Sequence, residues 1–429
     1  MCVMKHRSVL IVCLALVTIA VAIAGCGSTA TTSAPATSAT TAPDTTATSA
    51  GATTDTTQAA GLVFGMLLVG PYNDRGYSQA HYDAGLYVEE KIPGSKLVYI
   101  DKVNPADRPG TTPAQLAEEL LKQGAGLIIF NSDDMKDGAL EFAQDHPEIP
   151  VIHASGDASW KEGRDFKDLP NMVNLMGEME YGKMMAGVAA ALTTQTGKIG
   201  YLGPLINDET RRLAASAYLG AKYAWSTMLG KDPQQLQFKV NWIGFWFNIP
   251  GVTADPTQVA DDFFNQGYDV VISGIDTTEA LVEADKMAGQ GKAVWAIPYD
   301  YIGAIDEAPK VALGVPYFNW GPAYVEQVQA VLDGKFHQDF QWLGPDWTDI
   351  NNPDTSAVGF KNGAALSPEA AAKLHEFIVA LAGGLNLWVG PMNLQDGTPY
   401  LKDAEKATGQ QIWYLPQLLE GMEGQSVPS

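Results

Sequence analysis

Leu62-Val63-Phe64-Gly65-Met66-Leu67-Leu68-Val69 is a short apolar run, and Gly70-Pro71-Tyr72-Asn73-Asp74-Arg75-Gly76-Tyr77 follows it directly. An apolar run of this length ended by Gly and Pro reads as a buried strand. The polar continuation turns the chain, and Gly76–Glu90 reads as a helix. The same unit recurs downstream. Lys96–Ile100, Gly126–Phe130 and Pro150–Ala154 read as strands, and Thr112–Gln123 and Met135–Asp145 as helices. Strands alternating with helices predict a parallel sheet covered on both faces.

The alternation then begins again. Lys198–Leu202, Phe238–Ile243, Tyr268–Ser273 and Ala293–Ile297 read as strands. Glu180–Leu192, Glu209–Leu229, Thr257–Gln266 and Thr278–Gly289 read as helices. The expected architecture is therefore α/β, with two doubly wound parallel-sheet lobes joined by a hinge. Lobe 1 is expected at about 61–175 with 315–429 returning to it, and lobe 2 at about 176–314.

Upstream of residue 61 the composition changes completely. Lys5 and Arg7 precede an apolar stretch, Val9–Ala24, that ends in Gly25-Cys26. A basic start, a short apolar core and small residues make a secretory leader over residues 1–25. The stretch is short for a membrane span, which needs roughly 20 residues. Its end resembles a bacterial lipobox, which implies cleavage before Cys26 and acylation of that thiol. The other two cysteines, Cys2 and Cys13, would leave with the leader, so no disulfide is expected and the domain must be held by its core. Residues 27–60 are nearly all Thr, Ala and Ser and cannot form a core, so they read as a tether. As a flexible coil those 34 residues would reach roughly 30 Å. The expected location is the extracytoplasmic face of a membrane. The formal charge of −22 becomes −24 without the leader, which argues against nucleic acid as a partner.

Ligands of open α/β sheets bind beyond the carboxyl ends of the strands. Those positions hold Asn131-Ser132-Asp133-Asp134, His153-Ala154-Ser155, Gly244-Phe245-Trp246-Phe247-Asn248, Gly274-Ile275-Asp276 and Tyr299-Asp300. Asn, Asp and Ser there also cap helices, and Asp134 and Asp208 read equally well as caps. The aromatics Tyr77, Trp246 and Trp320 sit at turns, where flat rings on two walls would stack a planar ligand.

Several stretches together resemble the basic membrane protein family of lipoproteins, the nucleoside-type substrate-binding components of ABC transporters. They are Asn73-Asp74-Arg75-Gly76-Tyr77 with His81, Glu209-Thr210-Arg211-Arg212 with Gly220-Ala221, Trp242-Ile243-Gly244-Phe245-Trp246-Phe247-Asn248, Asn319-Trp320, and the Gly390-Pro391 to Gly424 tail. The chain departs from the family at Asn248, Ala215 and Tyr77, and residues 337–365 have no counterpart. The resemblance implies a type I periplasmic-binding-protein fold, with Tyr77 and Trp246 sandwiching a purine base or nucleoside. Asn73, Asp74, Asn131, Ser132 and Ser155 would approach from lobe 1, Asp276 and Asp300 from lobe 2, and Trp320 from the returning strand. Each has a plainer reading: Asp74 as a cap, Trp246 as core, Asp300 as a turn residue, His81 as packing. The implied partners are a permease and an ATPase, with no cofactor and no resident metal. A sensing lipoprotein is the second reading. An exported enzyme is the third, and neither a Gly-x-Ser-x-Gly elbow nor a Walker A loop supports it.

Overall fold

The computed structural model describes residues 61–428, so the leader, Cys26 and the tether lie outside the described residues. In chain order the first half runs β1 (Val63–Leu67), α1 (Tyr77–Lys91), β2 (Lys96–Ile100), α2 (Pro113–Lys122), β3 (Ile128–Phe130), α3 (Lys136–Asp145), β4 (Val151–Ala154) and β5 (Met172–Gly177). The middle runs α4 (Met179–Thr193), β6 (Lys198–Gly203), α5 (Asp208–Tyr223), β7 (Gln237–Trp242), α6 (Pro256–Asn265), β8 (Val270–Ser273), α7 (Glu279–Gly289), β9 (Trp295–Ile297) and β10 (Gly314–Phe318). The remainder is α8 (Gly321–Leu332), β11 (Asp339–Leu343), β12 (Val358–Asn362), α9 (Pro368–Ala382), β13 (Met392–Asn393), β14 (Pro399–Leu401), α10 (Gly409–Trp413) and β15 (Met422–Glu423).

Two all-parallel sheets result. The first has the order β2-β1-β3-β4-β5-β11 and the second β9-β8-β6-β7-β15. In both, the first strand lies between the second and third. Strand order therefore reverses between β1 and β3, and again between β6 and β8. Crevices at such reversals are where these sheets bind ligands. β3, β4 and β5 are buried along their whole length, and β1 all but Val63, because helices cover both faces of the sheet. Helix starts follow the local chemistry. Thr112 and Gln115 form a reciprocal capping box on α2, as Asn207 and Thr210 do on α5.

The expected elements of the two repeated units appear with small shifts at their ends. The helix expected over Glu209–Leu229 stops at Tyr223 and widens into a π-turn at Ala224–Met228. The structure divides the 315–429 segment differently from the sequence reading. Only α8 and β11 join the first lobe, with β11 paired to β5 along its whole length. From Phe360 onward most apolar side chains pack on α4, α5 and β7 of the second lobe, through Phe377, Trp388, Leu415 and Leu418, and β15 extends that sheet, while Trp413 and Tyr414 reach back to the first-lobe core. α9 shows a helical period at its buried Ala370, Leu374, Phe377 and Leu381, but which lobe that face meets is set by α4, a helix whose sequence is apolar nearly all round. The 337–365 segment supplies β11, the edge of the first sheet, and β12, which pairs antiparallel with β10.

Three chain segments cross between the lobes: Gly177 to Met179, Phe318 to Gly321, and Leu343 to Val358. No helix among the described residues is long and apolar enough to cross a membrane.

Candidate ligand site

Between the lobes, beyond both strand-order reversals, lies a small cavity lined from both sides. The first lobe contributes Tyr77, Ser132, Asp133 and Ser155. The second contributes Trp246, Asp276, Tyr299 and Asp300, with Tyr201, Glu209, Thr210 and Leu213 behind them. The two lobes touch directly beside it. A Cβ added to Gly76 would stand 1.5 Å from the Asp276 carbonyl oxygen, so the first-lobe loop rests backbone to backbone on the second-lobe loop. Asn207 Nδ2 also donates to Asp133 Oδ2 at 3.3 Å across the gap.

Buried polar groups in proteins are nearly always hydrogen-bonded. Here several are not. Both carboxylate oxygens of the wholly buried Asp300 lack a partner, as do Ser155 Oγ and Trp246 Nε1. Ser155 and Asp300 also hold φ values of 82° and 70°, in the left-handed region that non-glycine residues seldom adopt. Unsatisfied atoms and backbone strain concentrated around one cavity are a mark of a functional surface.

Charge in the cavity is one-sided. Asp133, Glu209, Asp276 and Asp300 line it, and no Lys or Arg does. Burial pushes Glu209 up to about 7. Burial, reinforced by the neighbouring carboxylates, pushes Asp276 well above the usual carboxylate range. Burial does the same to Asp300, although Lys183 pulls in the opposite direction. Such a wall accepts hydrogen bonds when ionised and offers O–H donors when protonated.

Of the residues expected from sequence, Tyr77, Ser132, Ser155, Trp246, Asp276 and Asp300 lie on the cavity. Four do not. Asn73 is exposed in the loop before α1. Asp74 starts that helix, its carboxylate accepting from Gly76, Ser78 and Gln79 backbone N–H groups at 2.8, 3.0 and 2.9 Å. Burial still outweighs these donors and raises it to about 6. Asn131 uses its Oδ1 to hold the Val69 N–H at 2.9 Å, while its Nδ2 is buried and free. Trp320 stands one layer back. Its ring stacks on His81 at 4.4 Å, and His81 meets Tyr77 edge-on at 4.5 Å and shares a 2.6 Å hydrogen bond with Tyr324. His81 is thus a packing residue that braces Tyr77.

Nothing in the sequence marks Tyr201 or Lys183 as site residues. Tyr299 and Glu209 stand in the stretches that follow strands, but neither was expected to face the ligand. Tyr201 sits inside a strand and carries no such signal.

Residues 62–344 match the family described as ABC transporter substrate-binding protein, PnrA-like. The chain belongs to this family. It is a family of binding proteins, not enzymes, whose members bind small molecules and work with a permease and an ATPase. Among similar PnrA-like and related proteins is a purine-binding protein of Brucella abortus, 28% identical over 84% of this chain and 93% of that one. A protein of Haloferax volcanii named for glucose binding in an ABC transporter is 26% identical, over 64% of this chain and 62% of its own length. A solved solute-binding protein of an Aeropyrum pernix ABC transporter superposes with a TM-score of 0.56 at 17% identity, over 75% of this chain and 80% of that one. That likeness speaks to the fold: two parallel-sheet lobes of the periplasmic-binding type.

Proposed function

We propose that this substrate-binding protein captures a purine base or purine nucleoside on the extracytoplasmic side of a membrane, held there by lipid on Cys26. The observation that carries the ligand is the cavity itself. Aromatic rings from opposite lobes, Tyr77 and Trp246, flank a space whose inner wall holds an unpartnered carboxyl group. A purine offers two π faces and an edge of N–H donors and ring acceptors, which is the complement of that wall. The Brucella relative named for purine binding supports the same class. The ligand touches both lobes, so it favours their apposed state by its differential affinity. A membrane permease then receives the loaded form, with ATP hydrolysed by a separate subunit.

The test is thermal shift and calorimetry of the purified mature chain against purine and pyrimidine bases, their nucleosides, glucose and amino acids. A ligand that binds only the folded protein raises the midpoint with concentration. Adenine, guanine, hypoxanthine or their nucleosides are expected to do so, and Trp246→Ala to remove the effect. A response to glucose alone would keep the transport role and sink the purine assignment. For the anchor, Cys26→Ala should release the protein from the membrane fraction of its own cells.

A further inference from the structure

Lys183 and Glu180 lie one turn apart as charged residues in α4, whose sequence from Met179 to Thr193 is otherwise mostly Met, Ala, Gly and Val. The Lys183 side chain is wholly buried. Its ammonium makes one hydrogen bond, to the carbonyl of Ser273 at 2.7 Å. It lies 3.1 Å from the centre of the Tyr299 ring and 5.6 Å from that of Tyr201. No carboxylate among the described residues comes within 4.0 Å of it. A buried charge without an ionic partner is costly, and a methionine would fill much the same space.

What the ammonium faces explains its presence. From α5 comes Glu209, and from the end of β9 comes Asp300, both on the cavity wall. Asp276, after β8, is next to Asp300. Glu180, on its own helix, is already taken by Arg212 of α5 at 2.6 Å. The Lys183 contacts are with Ser273, which ends β8, and Tyr299, which precedes Asp300. One side chain therefore ties together the two strand ends that deliver Asp276 and Asp300.

We propose that Lys183 is the positioning residue and counter-charge of the ligand cavity, holding Asp276 and Asp300 in place and keeping Asp300 able to ionise when a ligand donates to it. The proposal rests on the interlobe cavity being the ligand site. Burial lowers Lys183 to about 7 and raises Asp300, while the charge of each favours ionisation of the other. A ligand N–H directed at Asp300 favours the carboxylate form, and the nearby Lys183 ammonium offsets that charge. Without the lysine, Asp300 keeps its proton to higher pH and the acceptor is lost.

The experiment compares wild type, Lys183→Met and Lys183→Arg by calorimetry with adenine, hypoxanthine and adenosine at pH 6.5, 7.5 and 9. Met is expected to weaken binding at pH 6.5 by about tenfold, the order of one charge-assisted hydrogen bond. That loss should shrink toward pH 9, where the wild-type lysine is itself uncharged, and Arg should restore the low-pH affinity. An equal loss at all three pH values would mean a structural role only and overturns the proposal. Thermal melting without ligand supplies an independent reading, should none of these probes bind. The folded-state value of Lys183 is depressed from 10.5 to about 7, so the unfolded chain binds the extra proton between those limits. Wild type should therefore gain stability as pH rises from about 7 toward 10. Lys183→Met should be the more stable protein at pH 6.5, with the gap closing by pH 10. A gap independent of pH overturns the proposal.

Discussion

Two patches of the interlobe surface lie side by side and follow opposite rules. At the rim, the Tyr414 ring stacks on Trp160 at 5.8 Å and 11°, and Trp160 stacks on Phe340 at 4.8 Å and 5°. The Arg164 guanidinium covers Tyr414 at 3.7 Å and reaches Asp208 at 3.0 Å. The Tyr414 hydroxyl donates to Asp157 and accepts the Arg164 N–H at 2.8 Å. Arg212 lies 4.1 Å from the Trp413 ring centre while bonded to Glu180. There Tyr414, Arg164, Asp157 and Asp208 find partners within the protein, and only the second oxygen of Glu180 is left over. In the cavity a few residues away, Asp300, Ser155 and Trp246 are left without them. A satisfied patch holds the lobes together by itself, whereas an unsatisfied one is completed by something from outside.

The sharpest way to break this contrast is at the contact that seals the cavity. Gly76→Ala would drive a Cβ into the Asp276 carbonyl, so the lobes could not meet although neither residue's side chain has changed toward the ligand. Ligand affinity should fall by about a hundredfold or more, as expected when roughly 3 kcal/mol of closure is lost. Small-angle scattering should show a wider molecule even with ligand at saturation. A wild-type radius under those conditions would show that the contact is not needed.

Asp300→Asn tests the unsatisfied wall itself. Asn tolerates the positive φ at this position and carries no charge into a buried site. At alkaline pH, where the buried Asp300 is driven to ionise, the ligand-free variant should melt higher than wild type, by roughly 1–2 kcal/mol of relieved burial cost. Affinity should fall by at least about tenfold, the worth of one charged hydrogen bond. Loss of stability together with affinity would place Asp300 among the groups that hold the fold. The smallest effect is expected at the rim. Tyr414→Ala should cost about 1–2 kcal/mol of stability, since one aromatic contact and its hydrogen bonds are lost. It should speed ligand release by several fold in stopped-flow fluorescence while leaving the inner contacts intact. An unchanged release rate would leave the rim a purely structural feature.

The two repeated α/β units were legible because their strands are apolar runs cut off by Gly, Pro, Asn or Asp, as at Val69-Gly70-Pro71 and Phe130-Asn131. The same rule found the cavity residues that stand directly after strands. It misjudged residues whose role is fixed by a neighbour distant in sequence. Trp320 looks like a ligand ring until His81 is seen stacked on it. Asp74 looks like a ligand acceptor until three backbone donors are counted against it. β11, Asp339-Phe340-Gln341-Trp342-Leu343, is half-buried throughout and so shows no apolar run, because it is the edge of its sheet. Lys183 carries no sequence signal beyond its oddness in an apolar helix.

The three crossing segments have a mechanical consequence. One strand between two bodies permits bending and twisting alike, and two still permit a rocking motion about the line joining them. A third, placed beside β10 and β12, braces the joint against torsion and leaves a single soft coordinate, the opening angle. A docking partner would then have only one number to read, and the presence of ligand would be encoded in it.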